Sequence, residues 1–151
     1  MKFDSVEAIL DFAITKEEEA SAFYKDLAGK MTKPNIKDIF EQFALEELSH
    51  KAKLQNVKKG KLLLSVEKKV MDLKIVDSLL DTRFEEEGMD YQQALLVAMN
   101  SEKASFKLYT DLAEAADKPE VKEVFLSLAN EEAKHKLRFE IEYDESILID
   151  N

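Results

Sequence analysis

The chain has 151 residues, enough to bury one core, and contains no cysteine, which excludes disulfides, thiolate zinc sites, catalytic thiols and Cys-ligated iron within it. Its net charge of −10 argues against nucleic acid, because phosphate binding needs a basic footprint. Three glycines and two prolines among abundant Glu, Lys, Leu and Ala predict an all-helical fold.

Four long amphipathic segments follow in order. The first spans about 4–31, with a capping-box-like start at Asp4-Ser5-Val6-Glu7 and Gly29 near its end. Its stripe is Val6, Ile9, Ala13, Glu17, Ala20, Tyr24 and Leu27. The second spans about 34–59, with Thr32 as N-cap, Pro34 in the first turn and Gly60 as the stop. Ile36, Phe40, Phe43, Glu47, His50, Leu54 and Val57 share its inner face. The stretch 61–89 carries apolar residues such as Leu62, Leu63, Leu64 and Val70 but no sustained helical pattern, and reads as a crossover. The third helix spans about 90–116, opening at Asp90-Tyr91-Gln92-Gln93, with Tyr91, Leu95, Ala98, Glu102, Ser105, Tyr109 and Leu112 on its stripe. The fourth begins near Pro119 and fades near Tyr143, with Val121, Phe125, Leu128, Glu132, His135 and Phe139 inward. Steps of three and four make each stripe the seam of a helix bundle. Phe23 and Phe106 join Phe40, Phe43 and Phe125 as expected core packing.

The two halves repeat without a gap. Glu17 and Glu47-Leu48-Ser49-His50 recur as Glu102 and Glu132-Ala133-Lys134-His135, an offset of 85 throughout (102−17, 132−47, 135−50). Tyr24-Lys25-Asp26-Leu27-Ala28 matches Tyr109-Thr110-Asp111-Leu112-Ala113, and Lys33-Pro34 matches Lys118-Pro119. This is a duplicated helical hairpin, about 4–60 and 90–143. A helix of about 26 residues is about 39 Å long, a distance that a crossover of about thirty residues can span. The expected fold is an all-α, up-down-down-up four-helix bundle with one long crossover, forming one domain over 1–151.

The spacing also defines a site. Glu17 and Glu47 each lie fifteen residues from a turn near 32, so in an antiparallel hairpin both sit about 22 Å from it, at one height. Glu102 and Glu132 repeat this around a turn near 117. His50 and His135, the only histidines, follow their glutamates by three and share their helix face. Four carboxylates buried without counter-charge would take up protons or unfold the site. Two divalent ions would balance them, and carboxylate with imidazole suits iron or manganese. The spacing leaves open which glutamates bridge; the usual arrangement of such sites would have Glu47 and Glu132 do so, with Glu17 and Glu102 in the outer positions. Glu46 and Glu131 point about 100° off the stripe and read as solvated neighbours. The acid runs Glu18-Glu19 and Glu85-Glu86-Glu87 read as exposed. Tyr24 and Tyr109 suit either plain core packing or hydrogen bonds to the ligand carboxylates.

With Glu17, Glu47-Leu48-Ser49-His50, Glu102 and Glu132-Ala133-Lys134-His135 in place, and a tyrosine seven residues after each lone glutamate, the whole chain resembles the rubrerythrin branch of the ferritin-like di-iron carboxylate proteins. The resemblance implies two irons, with manganese as a variant, and reaction with hydrogen peroxide or dioxygen. Full-length rubrerythrins reduce peroxide to water and relay electrons through a Cys-ligated rubredoxin domain. Here the electron donor would be a separate protein, such as a rubredoxin. The family's extra glutamate, about a turn further along the third helix, has no counterpart at Ser105-Phe106. The expectation is a di-iron oxidoreductase. The alternative is an iron-handling protein with ferroxidase, storage or buffering roles. A homodimer is expected, with no nucleic-acid partner and no membrane span. The acidic start, Met1-Lys2-Phe3-Asp4, lacks the apolar run of a leader and points to the cytoplasm. The last apolar run, Ser146-Ile147-Leu148-Ile149, suits a docking tail or an oligomer contact.

Overall fold

A computed structural model describes residues 5–60 and 89–150, the side chains as far as 148. Helix α1 is Val6–Gly29, α2 Pro34–Lys59, α3 Tyr91–Ala115 and α4 Pro119–Asp150. The expected crossover, with Glu85-Glu86-Glu87, falls on 61–88 and lies outside the described residues.

Local chemistry sets the helix ends. Ser5 caps α1, its hydroxyl accepting from the Ala8 backbone N–H. Asp90 and Gln93 form a reciprocal capping box at the start of α3. The expected Thr32 cap is not used. Lys33 is the N-cap of α2 and makes no side-chain cap bond, while Pro34 supplies a preset first-turn φ. Helix α4 runs to Asp150 rather than fading near Tyr143, so the expected tail through Leu148 is helical, with Leu148 exposed.

Close helix packing runs within the hairpins α1–α2 and α3–α4, which then meet α1 against α3 and α2 against α4. Cross-helix contacts fix the directions. Tyr24 reaches Glu102 while Glu17 reaches Tyr109, so α1 and α3 are antiparallel. His50 reaches Glu131 while Glu46 reaches His135, so α2 and α4 are antiparallel too. The order is up-down-down-up. The end of α2 and the start of α3 therefore lie at opposite ends of the bundle.

The core is divided into two apolar blocks. One gathers Val6, Ile9, Leu10, Leu54, Leu108, Leu112, Phe125 and Leu128. The other gathers Ala20, Leu27, Phe40, Leu95, Ala98 and Phe139. Between them sits a polar layer of buried Glu17, Glu47, His50, Glu102, Glu132 and His135. The predicted stripes are buried almost throughout, with Phe43, Ser105 and Tyr91 only partly so. Phe106 departs from expectation and is 42 % exposed. It lies at the edge of the α3 stripe, one residue after the partly buried Ser105. Its repeat counterpart Ser21 is small enough to stay buried, its hydroxyl donating to the Ala44 carbonyl at 2.8 Å. No described helix is long and apolar enough to cross a membrane.

Phe139 is fully buried against the rings of Tyr24, Phe40 and Phe43. Phe139→Ala is expected to lower unfolding free energy by about 3–5 kcal/mol in urea denaturation, whereas Phe106→Ala is expected to cost about 1 kcal/mol or less. Equal costs would contradict this assignment of the core.

Candidate metal centre

Each inner residue reaches the layer because its helix places it on the stripe, and the antiparallel packing brings the four stripes to one level. One nitrogen or oxygen from each of Glu17, Glu47, His50 and Glu132 falls within 4.8 Å of the others. The same holds for Glu47, Glu102, Glu132 and His135. All six sequence-predicted ligands are thus brought together, and Glu47 and Glu132 belong to both groups.

The orientation of their atoms separates this cluster from an ordinary ion-pair network. His50 Nδ1 lies 2.7 Å from Glu132 and 3.5 Å from Glu17. His135 Nδ1 lies 2.9 Å from Glu47 and 3.5 Å from Glu102. Yet Glu17 Oε2, Glu47 Oε1, Glu102 Oε2, Glu132 Oε1 and both Nδ1 atoms are buried without an aligned hydrogen-bond partner. One atom from every predicted ligand is in this position. Buried polar atoms are normally hydrogen-bonded, so six converging orphans mark a donor set that suits cations. Carboxylate oxygen and imidazole nitrogen are ligands that iron and manganese accept.

The remaining atoms of these groups are held by neighbours. Tyr109 Oη donates to Glu17 Oε1 at 2.5 Å, and Tyr24 Oη donates to Glu102 Oε1 across the pseudo-twofold. The tyrosines are fully buried, and of the two roles open in the sequence the structure places them against the outer carboxylates. Burial, with the facing Glu102 for Tyr24 and Glu17 for Tyr109, pushes both phenol pKa values well up, so each keeps its proton.

Glu46 and Glu131 correct the expectation of solvated neighbours. Each is only about one-third exposed, and each reaches across to the other hairpin's histidine. Glu131 Oε2 lies 2.6 Å from His50 Nε2, and Glu46 Oε2 lies 2.8 Å from His135 Nε2. A carboxylate at Nε2 fixes a proton there and leaves Nδ1 to face the layer. Their angle on their own helix hides this role, because the partner lies on the neighbouring helix. The Glu-Glu-x-x-His pattern, repeated in both halves, is the signal that could have found it. Glu18 is exposed and pairs with Lys51 at 3.2 Å, as a surface acid would, while Glu19 is partly exposed beside Lys16.

Charge in the layer is balanced by shared protons when only protein groups are counted. Burial raises the pKa of Glu47 well above the usual range, as does the charge of Glu132. Burial and the charge of Glu102 do the same to Glu132. Burial would raise Glu17 as well, but the adjoining Glu47 and His50 outweigh it and bring its pKa down. Burial pulls the His50 pKa down, but Glu132 and Glu17 outweigh it and push it up to about 11. His135 moves upward as well, with Glu102 and Glu46 overcoming its burial.

A helical bundle with buried carboxylate and histidine at mid-height defines the ferritin-like di-iron carboxylate class. A Thermotoga maritima protein assigned to that class has a crystal structure that superposes with a TM-score of 0.73, at 22% identity, covering 97% of this chain and 99% of that one. At this identity the likeness speaks for the fold. The rubrerythrin family model matches residues 8–78 and 93–146, and the chain belongs to the rubrerythrin family. No curated protein matches its sequence significantly. The family and the buried cluster together support iron binding.

Metal uptake at these atoms must displace protons. With its pKa raised, His50 holds a proton that competes with metal at neutral pH, and Glu47 and Glu132 are shifted in the same direction. Lower pH strengthens that competition and higher pH relieves it. Metal addition in weak buffer is expected to release protons, with affinity rising between about pH 6 and 8. A pH indicator read during titration checks this, and affinity flat across that range would contradict it.

Proposed function

We propose that this protein is a di-iron oxidoreductase that reduces hydrogen peroxide or dioxygen with electrons from an external donor. Glu17, Glu47, His50, Glu102, Glu132 and His135 are the proposed ligands of two ions. The observation that carries the reading is the sharing of Glu47 and Glu132 between the two four-residue groups. Carboxylates common to both groups would hold two ions close together, as two-metal catalytic sites do at about 4 Å. When bound, such a pair can engage both oxygens of one peroxide and supply two electrons in one encounter.

The protein's own groups then have defined tasks. Glu47 and Glu132 would be held in common by both ions, and Glu17 and Glu102 would offer the oxygens that the tyrosines leave free. Glu131 and Glu46 keep the histidine Nδ1 atoms directed inward. Tyr24 and Tyr109 hold protons on Oη beside the outer carboxylates. The two apolar blocks, with Phe40, Phe125 and Phe139 fully buried, keep bulk water from either end of the layer.

The overall reaction takes one peroxide, two electrons and two protons to two waters. The proposed electron donor lies outside these 151 residues, none of which is a cysteine that could hold rubredoxin-type iron.

Anaerobic Fe(II) titration is expected to saturate at two ions per chain, followed by reoxidation with peroxide and consumption of an added donor. Glu47→Gln and Glu132→Gln are expected to lose at least about tenfold in iron affinity together with the peroxide reaction. Loading far beyond two ions would favour iron storage instead. Reduced protein that peroxide does not reoxidise would sink the oxidoreductase reading. Elemental analysis of natively purified protein separates iron from manganese.

A further inference from the structure

The duplication offers an internal control, because each outer contact of one half can be compared with its repeat 85 residues away. The inner atoms obey the pseudo-twofold, but their surroundings do not. Lys53 Nζ lies 3.6 Å from Glu131 Oε2, the same oxygen that lies beside His50 Nε2. Its repeat position is Arg138, which lies instead on Glu142, 2.7 Å from Nη2 to Oε1. Glu142 is buried and stands where the first half has Val57, so a buried acid turns the arginine away. Glu46, the repeat of Glu131, has no Lys or Arg within ion-pair distance among the described residues. A second break is aromatic. Phe43 stacks on the His135 ring with centroids 4.0 Å apart and planes at 26°. Its repeat, Leu128, has no aromatic face to offer His50.

We infer that the two metal positions are unequal, and that the position at His135, Glu102 and Glu46 takes up the first divalent cation. This rests on the metal-centre reading above and adds an order of filling to it. The physical reason is charge and preorganisation. At His50 the supporting carboxylate is shared with an ammonium, which weakens the negative field that attracts a cation and the hydrogen bond that polarises the imidazole. At His135 the supporting carboxylate is not shared in this way, and a stacked ring holds the imidazole in place. An exposed charge of this kind changes affinity by a factor on the order of five.

The chain's two histidines make the test direct. Zinc(II) is titrated into protein labelled with 15N at the imidazoles, and the ring nitrogens are followed by NMR. His135 is identified by its upfield shift under Phe43, which Phe43→Leu removes. The first equivalent is expected to move His135 and the second His50, with about a fivefold difference in affinity. Lys53→Gln is expected to bring the two affinities together, and Lys53→Arg, which keeps the charge, to preserve their order. The inference is overturned if His50 fills first, if both rings move in parallel in the parent protein, or if Lys53→Gln leaves the ratio unchanged. If two equivalents of zinc move neither ring, the metal-centre reading itself fails and the order of filling goes with it.

Discussion

Everything in this bundle is arranged around the cost of holding four carboxylates at one level in an apolar interior. An unpaired buried carboxylate is costly enough that it takes a proton or finds a cation. Glu17, Glu47, Glu102 and Glu132 are all buried, and two imidazoles face them. With protein groups alone, the layer reaches balance through protons, which the upward shifts of His50, Glu47 and Glu132 express. The proposed ions would replace those protons with fixed charge. The apolar blocks above and below the layer make the cost high, and so make the site selective for cations that satisfy it.

Duplication supplies the geometry. A single hairpin presents one Glu and one Glu-x-x-His, which is half of a centre. Packing two hairpins antiparallel completes each half with groups from the other. Tyr24 serves Glu102 and Tyr109 serves Glu17, while Glu46 and Glu131 cross to the opposite histidines. These supporting bonds therefore tie one hairpin to the other. Close packing between the hairpins is sparse compared with packing inside each, so the polar bonds help to fix their relative height. Such networks stabilise only when every member is satisfied, which links the bundle's stability to the state of the layer.

Much of this is legible in the sequence because helical periodicity and turn distance are both local rules. Stripe membership marks Glu17, Glu47, His50, Glu102, Glu132 and His135 as inward, and fifteen residues from each turn put the glutamates at one height. Those rules act along one helix. They are blind to Glu46 and Glu131, whose role depends on which helix lies beside theirs. They also put Phe106 in the core, although its place at the stripe's edge leaves it partly open to solvent. The length of α4 is hidden because the stripe position after Phe139 is the acid Glu142, and the Ile, Tyr, Asp and Ser that follow are middling to poor helix formers, yet the helix continues to Asp150. Caps are legible where a side chain makes the cap, at Ser5 and Asp90, and obscure where proline sets the first turn after Lys33.

The central claim is that six side chains from four helices hold two adjacent ions. Anomalous diffraction at the iron absorption edge, from crystals grown with Fe(II) under anaerobic conditions, tests it most directly. Two peaks about 4 Å apart are expected, one at His50 Nδ1 and one at His135 Nδ1, with Glu47 and Glu132 touching both. A single peak, or iron bound only at surface carboxylates, would contradict the account.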